Sequence, residues 1–576
     1  MIILGLNAHH ADSSAALFVD GKMIAAVEEE RFTRMKHWAG FPAQSIQFCL
    51  SEAGITLEQV DKIAIGRDPR AKIWNKLLFL SKYPFSSFQF VKDRFLNQKK
   101  VSSIENELVL FSGLDMEVLN NKIAQVEHHR SHMASAFFAS PFEKSAILSI
   151  DGSGDFSTTM IGYGVGNRIH VIDSLDFPHS LGIFYTAFTQ LLGFPYYGDE
   201  YKVMGLAPYG TPKYVSQLRK VVKLEKNGLF SLNLSYFRSP SKGFVGYSED
   251  HLPQVSLLFN EKMEKAFGKM RTKESPLTQY HKDLAASVQK MTEETIFHIL
   301  KNLHQITGVD RVCIAGGIAQ NSVANGKITQ QTPFKEVYIP SAGHDAGISM
   351  GAALYVQHQQ LKLERQPAIY SAYTGPSYSN QEIGELLQSV GLHARYLENY
   401  ELYEMVTDAL IEGKVVGWFN GKAEFGPRAL GGRSILMDPR RNDAKEILNE
   451  KIKRRESFRP FAPSILKEYV NEFFEKDEPV PFMEKVFPIR EDKRELIPAV
   501  THADGSGRLQ TVARDTSERY YDLIDRFRTK TGIPLLLNTS FNENEPIVNT
   551  PRQAINCFLR TQMDMLVLEN YILERK

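Results

Sequence analysis

IILGLNAHHADSSAALFVDGKMIAAVEE (2–29) returns in altered form as AILSIDGSGDFSTTMIGYGVGNRIHVIDS (146–174). Each copy reads as an apolar strand, a polar loop, a second strand, a short turn and a third strand. Each loop carries an aspartate followed by hydroxyl side chains: Asp12 before Ser13 and Ser14, Asp155 before Ser157 and Thr158. Asp20-Gly21 and Gly166-Asn167 supply residues that tolerate the left-handed backbone of a tight hairpin turn. A strand-loop-strand unit that occurs twice signals a duplicated domain.

Duplicated hairpin units followed by helices are the plan of the actin-like, sugar-kinase-like ATPase fold, in which a nucleotide lies between two similar halves. The expected fold class is therefore α/β. With 576 residues the chain exceeds what one hydrophobic core organises, so a second domain is expected. The boundary falls where HQQLKLERQP gives way to AIYSAYTGPSYSN, in the stretch 356–378, and divides the chain into 1–365 and 366–576. VCIAGGIAQNSVANGKI (312–328) is a strand that breaks at glycines and resumes as a helix. Its Gly316, Gly317 and Asn321 are candidate nucleotide-binding residues, because glycines admit close backbone approach and a helix start offers free N–H groups. GHDAGISMGAAL (343–354) repeats the break and presents Asp345 before a helix.

In VEHHRSHMASAFFASPF (126–142) a helix places His128 and His132 one turn apart on one face, with His129 pointing elsewhere. The next strand, SAILSID, ends at Asp151. Two imidazoles with Asp151 and Asp345 make a mixed donor set suited to iron, manganese or zinc rather than calcium. YYGDEYKVMGLAPYG (196–210) presents Lys202 to an anionic group, and EEERFTRMKHWAGFP (28–42) reads as a solvated charged segment.

The second domain opens with a helix around 380–390. KVVGWFNGKAEFGPRALGGRSILMDPR (414–440) carries Arg428 and Arg433 in a glycine-rich loop, and KIKRRESFRPFAPS (451–464) adds Lys453, Arg454, Arg455 and Arg459. Guanidinium forks grip phosphate or carboxylate in bidentate fashion, so converging arginines would hold ATP and a small phosphate. Arg454 and Arg455 are expected to be solvated. HADGSGRLQTV (502–512) adds Arg508, and IPLLLNTSFNENEPIVNTP (533–551) sets Asn538, Ser540 and Asn542 on one face of an extended stretch.

Lys+Arg 68 against Asp+Glu 67 leaves net charge +1, so no global field favours nucleic acid or an anionic membrane. Cys49, Cys313 and Cys557 are far apart in apolar surroundings, as buried thiols in a reducing compartment would be. MIILGLN enters a strand without a basic leader, and no uncharged run is long enough to span a bilayer. A cytoplasmic location is expected.

The order HHRSH, IDGSGD, GDEYKVMGLAPYG, GGIAQN, GHDAG, EFGPRALGGRS, FRPFAPS and NTSFN resembles the O-carbamoyltransferases of the nodulation and antibiotic-tailoring family across essentially the whole chain. Members of that family join a domain similar to the tRNA threonylcarbamoyl transferase to a C-terminal domain similar to the threonylcarbamoyl-adenylate synthase. The resemblance implies that carbamoyl phosphate and ATP, the latter with Mg(2+), give carbamoyl-adenylate in the C-terminal domain. The carbamoyl group then passes, at an N-terminal Fe(2+) or other divalent transition-metal site, to a hydroxyl of a small-molecule natural product, releasing AMP.

Carried over by motif, the metal positions are His128, His132, Asp151 and Asp345, and the phosphate- and ATP-gripping positions are Arg428, Arg433, Lys453, Arg459, Arg508 and Ser540. His9 or His10, beside Asp12, is the candidate base, with Lys202 as a further catalytic candidate. Many relatives place histidine directly before the loop aspartate, where Ala11 stands here, and often carry Asn at the position of Gly432. The acceptor is unassigned; the Phe- and Lys-rich stretch 73–100 reads either as amphipathic helix on the core or as an acceptor-side element. Alternatives to weigh are a tRNA threonylcarbamoyl transferase-type enzyme, an actin-like small-molecule kinase and a non-catalytic ATP-binding scaffold.

Overall fold

The structure is a computed structural model that describes residues 1–82, 104–238, 245–248 and 250–575. The chain divides into two compact units, Met1–Ile369 and Tyr370–Lys576.

In the first unit β1 (Ile2–Asn7), β2 (Ser14–Val19) and β3 (Lys22–Glu28) form an antiparallel meander. Asp20 and Gly21 take left-handed backbone at the turn, as that dipeptide requires. After α1 (Ala43–Glu52), strands β4 (Lys62–Ile65) and β5 (Ile123–Gln125) add in parallel on the other side of β1, and α2 (His128–Phe137) follows. The second half repeats this with β6 (Lys144–Gly154), β7 (Ser157–Val165) and β8 (Arg168–Asp176) as the meander. The long helix α3 (Gln279–Thr307) then leads to parallel strands β9 (Arg311–Ala315) and β10 (Glu336–Tyr338), and α4 (Gly347–Leu354) closes the half. The two five-stranded sheets run β3-β2-β1-β4-β5 and β8-β7-β6-β9-β10, the same order twice. The unit has the duplicated actin-like fold.

Small residues bring the elements of this unit close. A Cβ on Gly5 of β1 would stand 1.9 Å from the Ser349 carbonyl oxygen of α4, and one on Gly351 would stand 1.9 Å from that of Ser131 in α2. Those two contacts set α4 against β1 and α2 at a spacing that larger side chains would not permit. The central strand β1 is buried along nearly its whole length, as a strand covered on both faces must be.

The second unit is built on a mixed eight-stranded sheet. Its strands are β11 (Arg395–Tyr396), β12 (Val416–Phe419), β13 (Arg433–Met437), β14 (Ala462–Leu466), β15 (Gln510–Val512), β16 (Leu535–Ser540), β17 (Met565–Leu568) and β18 (Tyr571–Glu574), in the order β11-β18-β17-β12-β13-β16-β14-β15. The helices Asn399–Ile411, Glu518–Thr531 and Pro551–Arg560 cover it, the last started by a reciprocal Thr550–Gln553 capping box. Trp418, Leu436, Leu536 and Phe527 are fully enclosed in its core.

Several details differ from the sequence expectations. β6 continues three residues beyond Asp151, so that carboxylate projects from within the strand rather than from its end. Within 73–100, Ile73–Lys82 is helical, and the remainder lies outside the described residues. The cysteines are all buried and unbridged. Among the described residues no helix is long and apolar enough to cross a membrane.

Candidate active site

His128 and His132 occupy the first and second turns of α2 and point the same way. Their Nε2 atoms, with one oxygen each from Asp151 and Asp345, form a group whose members all lie within 4.8 Å of one another. His128 Nε2 is 3.1 Å from Asp151 Oδ2 and 3.7 Å from Asp345 Oδ1; His132 Nε2 is 3.5 Å and 3.3 Å from the same two oxygens. Four donors at about 2.1 Å from one ion sit roughly 3.4 Å apart at tetrahedral corners. The measured separations bracket that edge. His132 Nε2 and Asp345 Oδ1 are buried without a hydrogen-bond partner, an arrangement that folded proteins rarely leave in place. The residues therefore fit a divalent transition ion.

The surroundings orient each member. Gly317 donates its amide to Asp151 Oδ1 at 3.0 Å. Gly316, at φ 104, could not be replaced in that turn, since a Cβ would also press to 2.2 Å of the Ile150 carbonyl oxygen. The Asn7 carboxamide donates to the carbonyls of Asp345, Ala11 and Asp12, joining the first hairpin loop to the Asp345 loop. His129 turns away and meets Ser149 Oγ at 2.7 Å. Burial would raise the Asp151 carboxyl, but His128 and His132 outweigh it and hold it well below the usual range. Burial would likewise lower His132, and the two carboxylates outweigh it, pushing the imidazole up to about 9. The point between these groups draws positive charge.

The histidines of the first loop separate. His9 Nε2 pairs with Glu107 at 2.7 Å, whereas His10 Nδ1 stands 2.9 Å from Asp345 Oδ2, its ring 5.1 Å from that of His128. Asp12 pairs with His37, Nδ1 to Oδ1 at 2.8 Å. Burial would lower His37; Asp12 and Glu30 outweigh it and push it up to about 9. Asp12, Glu30 and His37 also lie close enough by spacing to hold an ion, and His37 and Asp12 are here in direct contact. Tyr197 packs edge-on to His37 at 5.1 Å, and its half-buried phenol lies within the field of Asp345, Asp12 and Asp151.

Sequence reasoning missed this charged stretch. The segment 28–42 is not a solvated run: Glu28, Glu29 and Arg31 are buried, Glu29 accepts the amides of Gln44 and Ser45 at the start of α1, and Arg31 pairs with Glu28. The signal available was its position, squeezed between a buried strand and the Pro42 that starts a helix.

Other expected residues have structural partners. Lys202 pairs with Asp199 at 2.8 Å and lies over the Phe194 ring. The Gly317 amide, expected at a nucleotide, is engaged by Asp151. Asn321 caps the helix Ser322–Asn325 and exchanges 3.0 Å hydrogen bonds with Gln289.

In the second unit, Arg433 is completely buried, donates to the carbonyls of Asn420, Gly421, Gly432 and Pro376, and covers the Phe419 ring. A guanidinium held in that way braces the loop. Lys453 is also buried and donates to the Ser540 and Asn542 carbonyls and to Asn542 Oδ1. Asn538 bonds the Ala429 carbonyl and Ser464 Oγ, and Ser540 Oγ bonds Asn542.

Four guanidiniums do converge. Burial and the charges of Arg428, Arg455 and Arg459 together hold Arg508 well below its usual range, and Arg508 Nε has no hydrogen-bond partner. Arg454 is exposed as expected, but Arg455 belongs to the cluster and stacks on Phe461 at 4.5 Å. His502 was not foreseen; burial, with Arg508 close by, lowers it to about 4. Glu424 arranges the Arg428 loop, its Oε1 accepting the amides of Leu430, Gly432 and Arg433. Like charges brought together away from water repel, and a polyanion between them removes that cost.

Residues 2–354 match the family described as Carbamoyltransferase N-terminus, and residues 407–575 match Carbamoyltransferase C-terminus. The chain is 42% identical to the uncharacterized protein sll1178 of Synechocystis sp., over 100% of this chain and 96% of that protein. It is 37% identical to nodulation protein NolNO of Sinorhizobium fredii, over 99% of this chain and 80% of the relative. With nodulation protein NolO of Bradyrhizobium diazoefficiens it shares 38% identity over 78% and 79%. Among solved structures, component A of the (R)-2-hydroxyglutaryl-CoA dehydratase of Acidaminococcus fermentans aligns with 62% of this chain and 97% of its own, at 16% identity and TM-score 0.33. With both terminal regions matched along nearly its full length, the chain belongs to the carbamoyltransferase family and is an enzyme of carbamoyl transfer.

Proposed function

We propose that the protein is an ATP-dependent O-carbamoyltransferase that forms carbamoyl-adenylate in its second unit and delivers the carbamoyl group to an alcohol at the His128, His132, Asp151, Asp345 centre. The observation that carries the reading is the buried set of two imidazoles and two carboxylates whose orphaned atoms face one point.

In the first step carbamoyl phosphate and water give phosphate and carbamate, and the carbamate oxygen attacks the α-phosphorus of ATP, so that carbamoyl-adenylate and pyrophosphate leave. Arg428, Arg455, Arg459 and Arg508 hold the phosphoryl oxygens and stabilise the charge that builds on them. Mg(2+) accompanies the ATP. In the second step the acceptor hydroxyl attacks the carbamoyl carbon, a C–O bond forms, and AMP departs with the bonding pair of the broken C–O bond.

His128, His132, Asp151 and Asp345 would hold Fe(2+) or a similar ion, which supplies Lewis-acid stabilisation of the carbamoyl oxygen. Gly317 keeps Asp151 aimed, and Asn7 keeps the Asp345 loop against the first hairpin. Both candidate bases pair with a carboxylate, His9 with Glu107 and His10 with Asp345, and His10, the one beside the metal-binding set, receives the hydroxyl proton. Asp12, held by His37, lines the same side. The acceptor is a hydroxyl-bearing small molecule.

The test incubates the protein with ATP, carbamoyl phosphate and a panel of alcohols. Pyrophosphate and AMP are expected in equal amounts with a carbamate ester; ADP as the sole nucleotide product would overturn the reading in favour of a kinase. Arg508→Met should stop pyrophosphate release, whereas His128→Ala should leave it intact and stop transfer.

A further inference from the structure

The turn between β6 and β7 reaches well beyond its own hairpin. Asp155, 7% exposed, has one carboxylate oxygen, Oδ2, that accepts two amides from different parts of the unit: His128 N at 2.9 Å and Asp68 N at 2.7 Å. The first is the leading N–H of α2, so the bond fixes the backbone of the first imidazole of the centre, and a carboxylate is favoured at that helix end. The second lies next to Arg67, whose Nη1 donates to the His9 carbonyl at 3.1 Å, beside His10.

The stretch that follows Asp68 is clamped to the end of β8 and to Phe156 of this turn. Lys72 pairs with Asp176 and reaches Ser174 Oγ, Asn75 donates to Asp176 at 2.6 Å, and Phe79 packs on Phe156 and Phe177 with ring centroids 5.7 and 5.6 Å away. Gly154, one residue before Asp155, faces the His128 ring. Both Asp155 and Phe156 hold left-handed backbone, and this reversal turns the carboxylate toward α2. In the duplicated first half the loop aspartate, Asp12, also takes left-handed backbone and likewise holds a group outside its loop, His37.

We propose that Asp155 is a positioning residue which joins the imidazole-bearing helix to the Arg67 segment, so that the metal-binding set and the Arg67 guanidinium keep a single geometry. The role rests on the transfer reading given above. Asp155 touches no reacting atom; it acts through His128 and Asp68.

Three variants of the full-length protein test this: Asp155→Ala, Asp155→Asn and Asp155→Glu. The readouts are Fe(2+) affinity by chelator competition, amide hydrogen exchange at His128 and Asp68 in the chelator-treated protein, and the separate rates of pyrophosphate release and transfer. Asp155→Ala should weaken Fe(2+) binding by about 10- to 100-fold, as loss of an outer-shell partner does, speed exchange at both amides, and lower kcat for transfer while leaving pyrophosphate release unchanged. Asp155→Asn keeps an oxygen that accepts both amides and should restore most of the affinity. Asp155→Glu displaces the oxygens by one methylene and should behave like alanine, which keeps the test alive if the alanine variant does not fold. Wild-type ion affinity and wild-type exchange in both the alanine and glutamate variants would overturn the proposal, as would an asparagine variant no better than alanine. Failure of the transfer reading would show differently, as a wild-type protein that makes no carbamate ester while the exchange and affinity differences persist.

Discussion

Gly154 offers the sharpest test of the metal centre, because one added methyl acts on one ligand. A Cβ at this position would stand 2.0 Å from His128 Cγ, 2.1 Å from Cδ2 and 2.4 Å from Nδ1. Non-bonded carbon atoms settle at about 3.5 Å or more, so in Gly154→Ala the imidazole must move by about 1.5 Å. Ligand distances tolerate deviations of only about 0.2 Å, and His128 Nε2 now lies 3.1 Å from its carboxylate partner. The ring would leave the set. Ion affinity should fall at least about 100-fold, and transfer by about 100-fold or more, since a misplacement of this size at a reacting centre has that effect. Overpacking should cost only about 1–3 kcal/mol of stability, so the variant should remain folded. The assay measures bound metal by elemental analysis alongside carbamate ester and pyrophosphate production. Pyrophosphate release should match the wild type. A Gly154→Ala protein that retains stoichiometric metal and full transfer would refute the geometry assigned to His128.

Arg508→Met should reduce ATP–pyrophosphate exchange by about 100- to 1000-fold, the usual effect of removing one fixed donor from a developing charge; it should also abolish the rise in melting temperature that ATP produces, and an undiminished rise would count against the arginine cluster. Glu424→Ala strips the acceptor from three buried amides and should cost about 3 kcal/mol, read from the denaturant midpoint, with a loss below about 1 kcal/mol contradicting the anchoring role. His37 should titrate near 9 by NMR and return toward 6.5 in Asp12→Asn; since its folded value is raised, the Asp12–His37 attraction stabilises fully below about pH 6.5 and is lost as pH rises through about 9. A wild-type His37 titrating near 6.5 would remove the pair. Removing the divalent ion with a chelator, followed by gel filtration into Mg(2+) and ATP, should stop transfer and spare pyrophosphate release; parallel loss of both would contradict separate sites.

The duplicated meander was legible because turn dipeptides and apolar strands repeat in order, and local chemistry of that kind survives in the bare sequence. His128 and His132 were legible for the same reason: spacing on one helix is a local property. Arg433 shows what charge read without burial leaves out. It sits in the same glycine-rich loop as Arg428, and only the tertiary fold shows that four carbonyls enclose one guanidinium while the other joins Arg508. Arg455 misled, since its neighbour Arg454 is exposed and adjacent residues on an irregular segment can face opposite environments. His37 was invisible because its partner, Asp12, lies 25 positions away, and nothing in a charged run announces a pairing made at that separation.

The repeat also explains why the centre has the composition it has. Asn7 ends the first strand of one half where Asp151 occupies the matching register of the other, and by the same register Asp12 stands opposite Phe156, one place beyond Asp155. The helices that follow the two sheets, α2 and α4, meet where Gly351 lets the Ser131 carbonyl approach, so the start of each lies near both loops. A strictly symmetric pair of loops would bring two acids of each type to the same place, and their mutual repulsion would need two cations. Here the first half has an amide, Asn7, that donates to the Asp345 carbonyl, and the second has the carboxylate. The carboxylates of the set are thereby limited to Asp151 and Asp345, facing His128 and His132 with His10 beside Asp345, and a single divalent ion would neutralise them. Asn7→Asp would restore the symmetry and place a third carboxylate against the Asp345 loop, at the loss of a donor to three carbonyls. That substitution should destabilise the unit by about 3 kcal/mol or more, and the destabilisation should shrink as pH falls below the carboxylate range. A destabilisation independent of pH would show that lost hydrogen bonds, and not the added charge, set the cost of symmetry.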